Sequence, residues 1–287
     1  MDDQQYNNDD NSKIPTPLQA TLIIIASFFF AFILIPILFI PIIPQDQSSI
    51  PGSTSIKVLA VVGEFSLIVL PFFYLRRKNF PIKDVFRWKK IDRSIIIVII
   101  PIGLSLSIAG DELDRLINIV FTPPEFLKEL ELLLKINSFW DFILLMLGIV
   151  IIAAFVEESL FRGLFQISLE KYQNVNRAVI YSSLAWMIVH GILYWAVQIF
   201  LIGIVFGYLA WRTKSIIPSA ICHAINNGLA LWFNNMDDSS FNSIYEWKGH
   251  VNPLILIPVI FILIKGIQFL DNYYLRRSSS FGSNGSE

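Results

Sequence analysis

Residues Phe142 to Ile167 read FILLMLGIVIIAAFVEESLFRGLFQI, an apolar run interrupted near its middle by Glu157, Glu158 and Arg162. A helix crosses the bilayer hydrocarbon with about 17–25 mainly apolar residues, so this stretch predicts a transmembrane helix. Each ionisable side chain near mid-bilayer costs roughly 2.5–3.5 kcal/mol on insertion scales, which makes such a cluster a functional site by default. One stretch therefore sets both the fold class and the place to look for chemistry.

The whole chain agrees with it. Hydrophobic residues make up 54% and charged residues only 16%, which excludes an ordinary soluble domain and predicts an all-α, polytopic membrane bundle. Helices are the spanning form expected from runs this continuous, because every backbone polar group must be satisfied within the segment. Eight spans are expected: Leu18 to Ile43, Ile56 to Leu75, Ser94 to Gly110, Phe142 to Ile167, Ala178 to Tyr194, Ala196 to Trp211, Ile216 to Phe233 and Pro253 to Leu270. A tight turn near Gly191 to Trp195 joins the fifth and sixth. No internal repeat is evident. A single cysteine, Cys222, excludes an intramolecular disulfide framework and reads as a small buried residue.

Cations set the orientation. The segment RRKNFPIKDVFRWKKIDR, Arg76 to Arg93, holds eight Lys/Arg against two Asp and belongs in the cytoplasm by the positive-inside rule. Lys171, Arg177, Arg212, Lys214, Arg276 and Arg277 follow the other even-numbered spans, and the odd-numbered connections are poor in cations. Both termini are thus expected in the cytoplasm. The acidic, Asn-rich residues 1–17 lack the basic start of a signal peptide, and they and residues 278–287 have the composition of disordered tails. Between the tails, residues 18–141 carry the first three spans, the basic loop and an amphipathic segment. Residues 142–233 form the core with the polar cluster, and 234–277 an outer loop and the last span. The amphipathic segment, Asp111 to Asp141, predicts an interfacial helix around EFLKELELLLKI. Lys57, Glu64 and Lys265 lie near span ends and read as structural.

The polar residues assemble by helical spacing. Arg162 lies four residues after Glu158, on one face and within ion-pair reach, while Glu157 is turned about 100° away. Glu157 is then the carboxylate left to act on water as a general base. Counting about 1.5 Å per residue from the cytoplasmic ends places Glu157 ~15 Å deep, His190 ~18 Å, His223 ~10 Å and Asn227 ~16 Å, all in one layer. His223 with Asn227 one turn on favours function, whereas His250 falls in an outer loop. A proton- or cation-coupled transporter would also carry Glu and His in mid-membrane, but with paired broken spans and a repeated half. A non-catalytic scaffold of the same fold is the other alternative. Net charge near zero hides a segregated distribution and by itself says nothing about nucleic acid; no nucleic-acid partner is expected of this membrane chain.

These motifs resemble those of the CAAX protease and bacteriocin-processing (Abi) family of intramembrane proteases. Its pattern of Glu-Glu-x-x-x-Arg, Phe-x-x-x-His and His-x-x-x-Asn is matched by EESLFR from Glu157, WMIVH with Trp186 in place of Phe, and HAINN from His223. The resemblance covers roughly Phe142 to Phe233. It implies an endopeptidase in which Glu157 and His190 activate water, His223 and Asn227 stabilise the oxyanion, and Glu158 and Arg162 give support. It also implies membrane lipids as surroundings and a peptide or a lipidated protein of the CAAX type as substrate class. Family members are commonly called metalloproteases. A divalent metal such as zinc, if present, would take Glu157, His190 and His223, while a glutamate mechanism needs no cofactor. No His-Glu-x-x-His helix is present.

Overall fold

The structure, a computed structural model, describes residues 13–39, 41, 52–236 and 239–282. Its helices are α1 (Pro17–Phe39), α2 (Thr54–Arg77), α3 (Arg93–Val120), α4 (Phe126–Leu133), α5 (Phe139–Glu170), α6 (Val175–His190), α7 (Leu193–Thr213), α8 (Ile217–Asn235), α9 (Ser239–Tyr245) and α10 (Pro253–Gly282). A two-stranded antiparallel ribbon, β1 (Glu246–Trp247) and β2 (His250–Val251), precedes α10. The chain is all-α apart from this ribbon.

Local chemistry explains the helix ends. Thr16 and Gln19 form a reciprocal capping box at the start of α1, with Pro17 in the first turn where its missing N–H costs nothing. The Asn174 side chain accepts from Arg177 N to open α6. Gly191 closes α6 in the left-handed region, at φ 67°, which a residue with a side chain rarely adopts. That glycine makes the expected tight turn into α7.

A helix lies over the described part of each expected span, although the fifth breaks at Gly191 before Tyr194, and the chain is a multi-pass integral membrane protein. Six helices (α1, α2, α3, α5, α7 and α10) are long and apolar enough to cross by length and composition. The other two, α6 and α8, are the 16- and 19-residue helices that carry His190, His223 and Asn227. Around the outside, Leu22, Ile25, Ile97, Phe155, Ile188, Ile257 and Phe261 are exposed, which is the surface lipid tails would cover. Inside, α5 lies against α1, α2, α6, α7 and α8, and α3 packs on both α8 and α10.

The third span differs from expectation. It does not stop at Gly110 but continues to Val120, because the charges that suggested a break are paired along the helix. Arg115 Nε lies 3.0 Å from Asp111, one turn away, and Glu112 accepts from Val251 N and pairs with His250 Nδ1, docking the ribbon. Only the later part of the amphipathic segment forms its own helix, α4, with Leu127 buried. At the other end α10 runs to Gly282, past the expected start of the tail at residue 278. Residues 1–12, 42–51 and 283–287, where the tails and the end of the first span were expected, lie outside the described residues.

Lys57 is not at a water-exposed end. It is fully buried, with Nζ 2.8 Å from Asp141 Oδ2 and donating to Lys135 O at 2.5 Å. Asp141 also accepts from Thr54 Oγ1 and Asn137 N, so one carboxylate joins the start of α2, the loop after α4 and the start of α5. Removing one partner from a buried pair leaves an uncompensated charge, at a cost of about 3–5 kcal/mol. Asp141→Ala is therefore expected to lower the unfolding temperature in detergent sharply, and Lys57→Met with Asp141→Leu to recover most of the loss. Equal unfolding temperatures for Asp141→Ala and wild type would refute the assignment.

Candidate active site

Helix α5 supplies the carboxylates. Hydrogen bonding widens to the i→i+5 pattern over Met146–Ile152 and Ser159–Phe165, so Ala153–Glu158 is an ordinary helical segment between two wide turns. Wide turns inside helices occur often at functional sites because the extra residue re-aims the side chains around it. Here they flank Glu157 and Glu158.

Glu158 and Arg162 are both fully buried, with Arg162 Nη1 2.9 Å from Glu158 Oε1. Arg162 Nη2 donates to Gly203 O on α7 at 3.3 Å, and its guanidinium lies over the Trp186 ring at 4.3 Å and beside Phe206 at 5.3 Å. A Cβ on Gly203 would lie 3.1 Å from both Ser183 and Trp186, so a side chain there would press these neighbours aside by a few tenths of an ångström. One turn on, Gln166 Nε2 donates to Gly207 O and to Glu170 Oε1. Glu170 in turn pairs with Arg87, whose Nη1 donates to Arg162 O. Arg87 belongs to the basic segment read as a topology signal. It is buried and holds a left-handed backbone, φ 52°, while its carbonyl accepts from Ile216 N at the head of α8. The stripe Glu158, Arg162, Gln166, Glu170 at i, i+4 spacing was the sequence signal for this network, and only its first pair was read.

Glu157 has a different environment. Its side chain is 13% exposed and that of His190 28%, against none for Glu158 and Arg162. His190 Nε2 stands 3.9 Å from Glu157 Oε2. His190 Nδ1 lies 2.7 Å from Trp186 O, which can only accept, so Nδ1 carries a hydrogen and Nε2 is the nitrogen presented to Glu157. The Trp186 indole Nε1–H donates to Glu157 Oε2 at 2.6 Å. Sequence reading assigned Trp186 only a packing role. The indole N–H, which the Phe of the family pattern lacks, was the missed signal.

His223 reaches the second carboxylate. It is buried, with Nδ1 3.2 Å from Glu158 Oε1, the oxygen that also takes Arg162. Its ring stacks on Phe206 at 5.4 Å and meets the edge of Trp186 at 5.5 Å. Asn227 Nδ2 donates to Ile149 O at 2.9 Å, within the first wide turn of α5. The structure thus joins Glu157 to His190 and His223 to Glu158, with Trp186 touching both histidines. Glu157, His190 and His223 do not converge on one point. Among the described residues no three of His, Cys, Asp or Glu come together as a metal-holding group. This arrangement of donors does not fit the three-ligand catalytic zinc pattern. Cys222 is buried as expected, its Sγ directed to Ile99 O, and His250 pairs with Glu112 far along the chain from the cluster.

No curated protein and no solved structure matches the chain. Residues 139–229, the stretch that builds this cluster, match the family model described as type II CAAX prenyl endopeptidase Rce1-like, which is consistent with the CAAX protease and bacteriocin-processing family that the motifs resemble.

Proposed function

We propose that the chain is an intramembrane endopeptidase in which Glu157 and His190 activate a water molecule against a peptide carbonyl. The observation that carries this reading is the contrast between adjacent carboxylates: Glu158 is locked to Arg162 with no exposure, while Glu157 is partly open beside an imidazole. Two carboxylates whose surroundings differ this much divide into a structural and a reactive one.

Each group has a defined task. Glu157 takes a proton from water as the oxygen attacks the carbonyl carbon, and His190 orients that water by accepting its other hydrogen at Nε2. The carbonyl electrons move onto oxygen. In a ring protonated on both nitrogens, His223 donates Nδ1–H to Glu158 and Nε2–H to the oxyanion. Asn227 holds Ile149 O with one amide hydrogen and keeps the second for the same oxygen. The proton on Glu157 then passes to the leaving nitrogen as the C–N bond breaks.

In this reading the chemistry lies in the cytoplasmic half of the bilayer, with eight crossings and both termini in the cytoplasm, and the positive-inside rule applied to the basic loop supports it. The substrate class is a lipidated protein tail or a membrane peptide, reached from the lipid phase. Residues 142–233 are the protease core.

Two variants separate the carboxylates. Glu157→Gln is expected to keep wild-type folding in detergent and to abolish cleavage of a prenylated, tetrapeptide-tailed reporter and a panel of transmembrane peptides. Retained turnover would sink the assignment. Glu158→Gln leaves Arg162 buried without its counter-charge, so it is expected to lose about 3–5 kcal/mol of stability and much of the folded yield. A normally folded Glu158→Gln protein, seen as a sharp size-exclusion peak with unchanged melting, would contradict that role. His223→Ala is expected to fold and to lose kcat with little change in KM, since its contact with the substrate oxygen exists only in the transition state.

A further inference from the structure

This inference rests on the protease reading above and adds a residue to it. We propose that Trp186 is the positioning residue of the Glu157–His190 pair, fixing one partner with its indole and the other with its backbone. The indole N–H donates to Glu157 Oε2 at 2.6 Å, the same oxygen that stands 3.9 Å from His190 Nε2, and so fixes the carboxylate against the imidazole. The Trp186 carbonyl accepts from His190 Nδ1 at 2.7 Å, which sets the tautomer and turns Nε2 toward Glu157. One residue therefore holds the carboxylate in place and decides which imidazole nitrogen faces it.

Trp186 is itself held firmly. It is buried, with the Arg162 guanidinium over its face, Phe206 5.7 Å away, and the edges of His190 and His223 against it at interplanar angles of 78° and 77°. Gly203 comes so near its six-membered ring that a methyl group there would need the ring to move. A ring this constrained holds its N–H at a fixed point, and a hydrogen bond to a carboxylate is stronger than a neutral one. Catalytic groups need placement to within a fraction of an ångström, and loss of such a donor would let the Glu157 carboxylate swing out of line. Phenylalanine fills the same space but offers no donor. In this chain, then, function depends on the indole nitrogen as well as on the aromatic bulk.

The test replaces that nitrogen and little else. With 3-benzothienylalanine at position 186, sulfur stands where N–H was, while shape and contact with Arg162 are kept; Trp186→Phe is the genetic counterpart. The expected result is a fall in kcat of roughly tenfold to a hundredfold, the worth of a hydrogen bond to a charged group, with KM within about twofold and melting unchanged. In 15N-labelled protein, the indole resonance assigned to Trp186 by its absence from Trp186→Phe is expected to move in Glu157→Leu. Wild-type kcat in the benzothienyl protein, or an unmoved resonance, overturns the proposal. If Glu157→Gln is inactive while the benzothienyl protein cleaves normally, the protease reading stands and only the role of Trp186 falls. If Glu157→Gln cleaves like wild type, both fall.

Discussion

A guanidinium with no exposure, inside a membrane helix, is the constraint to which the rest of this site conforms. Arg162 cannot lose its charge, so the surrounding helices must supply an anion, acceptors and aromatic faces in the right places. Glu158 gives the anion, Gly203 the carbonyl, and Trp186 and Phe206 the rings. These demands fix how α5, α6 and α7 approach one another, and they suit a glycine where a side chain would press its neighbours aside. His223 from α8 completes the ring by sharing the Glu158 oxygen.

Once Glu158 is committed, the adjacent carboxylate is released for other work. Glu157 has no cation of its own and meets a histidine whose second nitrogen is engaged by backbone. Identical side chains one residue apart thus receive opposite surroundings, one sealed and compensated, the other partly open. The division follows from helical geometry, since consecutive residues point about 100° apart. It also follows from the wide turns on either side of Ala153–Glu158, which set where each face of α5 points.

Two further ion pairs frame the site from its ends. Lys57 and Asp141 bind the starts of α2 and α5, and Arg87 with Glu170 binds the loop after α2 to the end of α5. Both resemble Arg162–Glu158 in being buried, so the helix that bears the carboxylates is held by buried ion pairs at its two ends and its middle. Rigidity of that helix matters because reacting groups are positioned by the elements that carry them.

Apolar runs, the excess of Lys/Arg after alternate spans, and the spacing of Glu158 to Arg162 were all legible in the chain itself. They depend on periodicity and composition, which are local: a helix face is set by residues three and four apart, and a membrane helix by its own length. From these came the all-α membrane class, the pairing of Arg162 and the singling out of Glu157. What lay beyond them depended on contacts between distant segments. Arg87 reads as one more cation in a basic loop until Glu170 and the Arg162 carbonyl meet it, and Lys57 reads as a span end until Asp141 does. Nothing in the sequence said which carboxylate His223 meets, and the packing of α8 against α5 sets it beside Glu158. Trp186 shows the limit most clearly, since its identity as an aromatic was evident in the sequence but the direction of its N–H was decided by how α6 sits on α5 and α7. Sequence determines which groups a helix face carries; the relative placement of helices determines which of those groups touch.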